Sequence, residues 1–271
     1  MNNFLVLVKD NLSNSLRSKK AIIFFLLYFA MFMLIASALF YIQNSLDNVL
    51  GHGTEGVKNP AFINGMEKLT QDKSFVDFIT RIPFINIALF VTTIIIAPFL
   101  ILILNYDKIA QEIYDGTIRY LLFRTSRFKI YAAKFFSETI EIGIITFLTV
   151  FIALAWGSTQ IHHFDVGKSL WFGIQYWLIA QPLLWVFIAF SLFFSSIFKK
   201  PFHALVFSML GFFLLTFLPH WIPYFSPLDG FYTKNLYSDV PLKIATALMY
   251  FFLFTLAYLS AGFSIFNRKD V

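Results

Sequence analysis

The chain is 271 residues long, 58% hydrophobic and 20% aromatic, with 13% charged residues and a net charge of +6. Soluble domains carry about 25% charged residues, so a water-soluble globular domain is excluded; the absence of cysteine also excludes disulfides, thiolate metal sites and thiol catalysis. The basic balance does not point to nucleic acid, because the charges fall between apolar runs, where membrane orientation accounts for them.

Residues 1–20 place Leu5, Val8, Leu12 and Leu16 at spacings of three and four, with Lys9, Asp10, Asn14 and Arg17 elsewhere. That pattern predicts an amphipathic helix lying in the membrane interface. The first apolar run, Ala21–Ile42, is long enough to span a bilayer. Ala36-Ser37-Ala38 imitates a signal-peptide cleavage site, but apolar residues continue beyond it, so a retained span is expected. An outer segment, 43–83, follows, with Met66, Leu69, Phe75, Phe78, Ile79 and Ile82 available for short amphipathic helices at the surface.

Five further runs have spanning character: Phe84–Leu104, Thr139–Gly157, Trp171–Ile197, Phe202–Pro219 and Ile244–Phe266. They are continuously apolar rather than alternating, which favours helices over barrel strands. Pro182 lies inside the fourth span, where a tilt or kink is expected. Residues 220–243 form a second outer segment whose prolines and aromatics predict broken helices at the interface. With both termini inside, fourteen of the 21 Lys and Arg fall on the cytoplasmic side, which fixes the orientation. The expected fold is an all-α membrane protein with six transmembrane helices, an N-terminal interfacial helix and both termini cytoplasmic. Residues 1–271 form one membrane domain in this reading.

The sizeable inside loop, 105–137, mixes Asp107, Glu112 and Asp115 with six basic residues. Ile109, Ile113 and Tyr120 share a helical stripe with Gly116, so a short amphipathic element exposed for a partner is expected there. Glu138 and Glu141 lie near the start of the third span; a proton or cation site is one reading, and their shallow depth favours residues near the cytoplasmic interface pairing with Lys134.

Catalytic signatures are missing. There is no H-E-x-x-H and no G-x-S-x-G. Gly51-x4-Gly56 is followed by Val57 rather than Lys, and Gly167-Lys168-Ser169 has His162 where a phosphate-binding loop needs its first glycine. His162, His163 and Asp165 are the one candidate metal cluster, with a loop as the plainer reading; His203 and His220 stand alone. No metal, cofactor or catalytic residue is therefore assigned to this chain.

Within the inside loop, Glu112, Gly116, Thr117, Leu121, Leu122, Ser126 and Arg127, followed by Lys134, fit a pattern E-x3-G-T-h-x2-L-L, then Ser-Arg and a downstream lysine. This segment resembles the ABC-2 type permease family of ABC transporters. Arg124-Thr125 stands where the family pattern carries a proline, and the tail Ile265–Val271 is similar to the family's basic-acidic ending. The resemblance implies a permease subunit, an exporter in the first reading, in a bacterial inner membrane. It implies a second permease subunit, identical or paralogous, and separate cytoplasmic P-loop ATPase subunits that bind ATP and Mg²⁺. Glu112, Asp115, Gly116, Thr117, Leu121, Leu122, Ser126 and Arg127 would form the coupling element against the ATPase. Membrane lipids and an extracytoplasmic partner complete the expected contacts. Two other functions compete: a membrane-embedded enzyme on lipid-like substrates using the histidines and Asp165, and a non-transporting relay with the same fold.

Overall fold

A computed structural model describes residues 3–50, 83–160, 165–217 and 241–269. Every element among them is helical. Helix α1 (Asn3–Arg17) turns at Ser18 into α2 (Lys19–Leu50), and the turn is local chemistry. The Ser18 hydroxyl donates to the Ser15 carbonyl at 2.6 Å and accepts from the Ala21 amide at 3.4 Å, which caps α2.

The second apolar run is not one regular helix. It consists of α3 (Phe84–Val91), a π-helical turn (Thr92–Ile96) and α4 (Ala97–Asn105). Pro98 offers no amide to the ladder, and the wider turn sits just before it. The Ala97 amide donates to the Thr92 carbonyl, five residues back. Thr92 and Thr93 hydroxyls donate to the Ala88 and Leu89 carbonyls at 2.7 Å.

Two short helices follow, α5 (Ala110–Tyr114) and α6 (Ile118–Leu122), then three long ones: α7 (Arg127–Gln160), α8 (Val166–Ile197) and α9 (Pro201–Phe217). Helix α10 (Pro241–Arg268) completes the bundle. Helix α8 runs unbroken through Pro182 and is the central element, with Leu183, Leu184, Val186, Phe187, Ile188, Ala189 and Leu192 all buried. A helix apolar all round belongs inside a bundle, and α8 makes its most extensive contacts with α10 and α7.

The helices around it leave apolar faces outward. Ile140, Ile144, Leu148 and Phe151 form one exposed stripe on α7, and Phe202, Leu210, Phe213, Leu214 and Phe217 form another on α9. Exposed apolar surface this continuous marks contact with lipid rather than water. Five of the described helical stretches are long and apolar enough to cross a membrane. Helix α9, with 17 residues, is about 26 Å long at 1.5 Å per residue, short of a hydrocarbon core of about 30 Å.

Several boundaries differ from the sequence expectations. Helix α2 continues to Leu50, eight residues beyond the expected span end at Ile42, which shortens the expected outer loop. Helix α7 begins at Arg127, twelve residues before the expected third span, because Lys134 and Glu138 find partners that let the helix carry them. Half of the α1 stripe is turned elsewhere. Phe4 lies edge-on to Phe136 of α7 at 6.0 Å, Val8 and Asn11 are half-buried and Ser15 is buried, while Leu5 and Leu16 are exposed. The amphipathic elements expected in 51–82, the broken helices expected in 220–240, and His162, His163 and His220 lie outside the described residues.

Candidate coupling site

The segment from Asn105 to Ser126 joins the second and third apolar rods at the end of the bundle that also holds α1 and the α10 terminus. Its shape follows from one residue. Gly116 has φ +72, a left-handed conformation that side chains resist. The chain therefore stops after α5, breaks at Gly116 and restarts as α6. Thr117 holds the N-cap position of α6 without capping it; its hydroxyl donates back to the Glu112 carbonyl at 3.4 Å.

The inner side of this segment is tied to almost every neighbouring helix. Asp107 pairs with Lys20 of α2. Lys108 pairs with Glu138 of α7 at 2.5 Å and donates to the Ser15 hydroxyl of α1 at 2.8 Å. The Ser195 hydroxyl of α8 accepts from both the Ile109 and Ala110 amides at 2.9 Å, closing the N-terminus of α5. Glu112 accepts from Lys134 of α7 at 2.6 Å. Ile109, Ala110 and Ile118 are fully buried beneath.

Arg127 reaches the other way. Its Nη1 donates to the carbonyls of Phe266, Asn267 and Lys269 at 2.8, 3.2 and 2.7 Å. Those carbonyls end α10, where a helix leaves acceptors unsatisfied and favours positive charge. Lys269 adds a second tie, donating to the Ser196 carbonyl at the end of α8 at 2.7 Å. Burial first, and the nearby Lys199 charge second, hold its ammonium down to about 8.

The residues expected to form the coupling element thus divide into two groups. Asp115, Thr117 and Ser126 are exposed, and Gly116 makes the turn. Glu112 and Arg127 are spent on internal partners, and Leu122 packs on the core while Leu121 is half-buried. The expected stripe of Ile109, Ile113 and Tyr120 is corrected. It presumed one continuous helix; with the break at Gly116, Tyr120 is exposed and Ile118 is buried. The expected pairing of Glu138 and Glu141 with Lys134 is corrected as well, since Glu138 takes Lys108 and Glu112 takes Lys134.

The outer side carries Tyr120 and three aromatics that the sequence reading did not name. Tyr114, Tyr120, Phe123 and Phe128 are 63%, 75%, 88% and 62% exposed, too polar a setting for lipid because Asp115, Arg119, Arg124 and Ser126 are interleaved and also exposed. Aromatic residues and arginine together are the composition of protein interfaces. Their alternation with charge in a loop was the available signal.

Asp165, offered as a metal ligand, caps α8 instead by accepting from the Lys168 amide at 2.9 Å. His203 is exposed and stacks near Phe198 at 6.4 Å. Among the described residues no group of His, Asp and Glu is placed to hold a metal.

No curated protein matches the chain. The family described as ABC-2 family transporter protein matches residues 5–271, from the first turns of α1 through the segment just described to the end of the chain. With the apolar helices of bilayer length, this makes an integral, multi-pass membrane protein. The match covers nearly the whole chain, and the chain belongs to the ABC-2 family of transporter proteins.

Proposed function

We propose that the chain is the membrane permease subunit of an ATP-driven exporter, and that its ATPase docks on the exposed face of residues 105–126. The observation that carries this reading is the two-sidedness of that segment. A nucleotide-driven movement in another subunit does work on the membrane helices only if the part it pushes is stiff and joined to them. The inner side meets that need through Asp107, Lys108, Glu112 and the two amides on Ser195. The outer side offers Tyr114, Tyr120, Phe123, Arg119 and Arg124 to a partner.

The rest of the reading follows the positive-inside rule. This end of the bundle is cytoplasmic, with both termini on it, and α1 lies in the interface with Leu5 and Leu16 toward lipid. Helix α9, fifth of the apolar runs in chain order, supplies the remaining span and brings the total to six. The chain acts as one permease domain beside a second permease subunit in a bacterial inner membrane. It performs no catalysis itself, and ATP and Mg²⁺ belong to the ATPase.

The test is purification of the tagged chain in mild detergent from its own membrane, with mass spectrometry of its companions and an ATPase assay. The reading expects a P-loop ATPase with the wild type. Tyr120→Ala combined with Phe123→Ala should lose it while leaving the thermal stability of the chain within about 0.5 kcal/mol, as for exposed positions generally. Repeated native preparations without any ATPase would overturn the reading.

A further inference from the structure

Away from the charged end, α2, α3, α7 and α8 enclose a mainly apolar cleft that holds a few polar groups. Its floor is buried: Asn86, Thr146 and Gln181 are 1%, 3% and 8% exposed. Its rim is aromatic and half-exposed, formed by Phe90, Tyr176 and Trp177. Gly173 and Gln181 mark its extent along α8, eight residues or about 12 Å. Polar groups inside a membrane bundle are costly and rarely idle.

Most of these groups are already engaged. The Tyr28 hydroxyl bonds Thr93 at 2.7 Å. Trp177 Nε1 donates to the Gly143 carbonyl and Thr146 Oγ1, both at 3.1 Å, and Gln181 Nε2 donates to the Trp177 carbonyl at 3.3 Å. Asn86 is different. Its Nδ2 donates to the Ser169 carbonyl at 3.0 Å, which fixes the amide, and its Oδ1 is buried without a partner. Gly173 stands beside the amide oxygen; a Cβ there would lie 3.7 Å from it and 2.8 Å from Val150 Cγ1, so this point of the lining admits only glycine on α8.

A fixed, unpaired acceptor in a buried site is satisfied by a donor brought from outside. None of the residues lining the cleft is charged, and an unpaired ion would be strongly disfavoured there. We propose that this cleft binds a neutral, lipid-like amphipath, its hydroxyl or amide N–H on Asn86 Oδ1 and its apolar body against Phe90, Tyr176 and Trp177. The bilayer is the source, because the helices enclosing the cleft are of bilayer length and its aromatic rim is half-open. A role as cargo site rests on the permease reading; binding itself does not.

The experiment uses the full chain in phosphatidylcholine vesicles, with dibrominated stearyl alcohol as a quencher of tryptophan fluorescence. The contribution of Trp177 is the difference from Trp177→Phe. Saturable quenching is expected, reversed by unbrominated stearyl alcohol. Asn86→Leu should raise half-saturation about tenfold, the effect of one lost buried hydrogen bond. Ala180→Leu, which fills the cleft without touching Asn86, should do the same. The same chain with a quaternary ammonium headgroup should not saturate. Quenching that rises linearly and equally in all variants, or is indifferent to headgroup charge, would overturn the proposal. Saturable quenching in preparations that yield no ATPase would keep the cleft and remove its cargo role. An ATPase recovered alongside linear quenching would remove the cleft alone.

Discussion

Arg127 sets one guanidinium nitrogen against three carbonyl oxygens at and just past the end of α10. Charge-assisted hydrogen bonds contribute about 1.5–3 kcal/mol, enough to decide whether the last turn of α10 frays. Arg127→Met should therefore lower amide protection over residues 265–269 by roughly tenfold or more, measured by hydrogen exchange, with little change in α8. Lys134 is 6% exposed on its side chain and has Glu112, 27% exposed, as its counter-charge. Glu112→Gln keeps a hydrogen-bond acceptor and removes the charge. Unpairing buried charges costs about 3–5 kcal/mol; the partial exposure of Glu112 places this case near the lower bound, and Lys134→Met in the same background should recover part of the loss. Lys269 offers a pH test. Its folded value of about 8 lies below its ordinary 10.5, so the unfolded chain binds the extra proton between those values. Docking of the α10 terminus should tighten as pH rises from 8 toward 10.5, seen as increasing protection at Arg268 and Lys269. In Lys269→Met that rise should vanish.

At the scale of the element, the segment between the second and third rods shows which parts of a structure are legible in a sequence. Glu112, Gly116 and Lys134 could be picked out because their types and spacing are local. That Gly116 permits a turn was also readable, yet the consequence for Tyr120 was not: a helical stripe assigned across a break no longer predicts the face of the residues that follow. The partners were beyond reach for another reason. Ser195 is 86 residues from Ile109, and Ser15 is 93 from Lys108; no spacing rule connects such pairs, and only the packing of α1, α7 and α8 brings them together. Two predictions separate the local from the packed contribution. Gly116→Ala meets open space but must adopt φ +72, so it should cost about 1 kcal/mol of backbone strain and shift the thermal midpoint slightly. Ser195→Ala leaves two buried amides without an acceptor, a loss of about 1–3 kcal/mol for each group so orphaned. Its effect should appear as faster exchange across residues 107–114 and weaker coupling of ATP hydrolysis, even though Ser195 touches no part of the exposed face.

For the whole molecule, the apolar runs were legible because bilayer thickness imposes a length that composition alone reveals. The ends of the helices were not, since α7 carries Lys134 and Glu138 on partners supplied by other elements, and the π-helical turn before Pro98 answers a backbone need that hydropathy does not register. Orientation is the one global property that neither the fold nor the family match supplies, and it decides which face meets the ATPase. The chain contains no cysteine, so single cysteines report it directly. Arg124→Cys lies on the exposed face of the 105–126 segment, and Val166→Cys, 51% exposed, lies at the opposite end of α8 from Ser195. A membrane-impermeant maleimide applied to intact cells should label Val166→Cys and spare Arg124→Cys, with the pattern reversed in inverted vesicles. The reverse pattern in intact cells would put the aromatic face outside, away from ATP, and the coupling role of Tyr120 and Phe123 would fall with it. Labelling as expected fixes the sign of every charge argument at once: Lys20, Lys108, Lys134 and Arg127 then serve both to hold the bundle's end together and to keep that end on the side where nucleotide is hydrolysed.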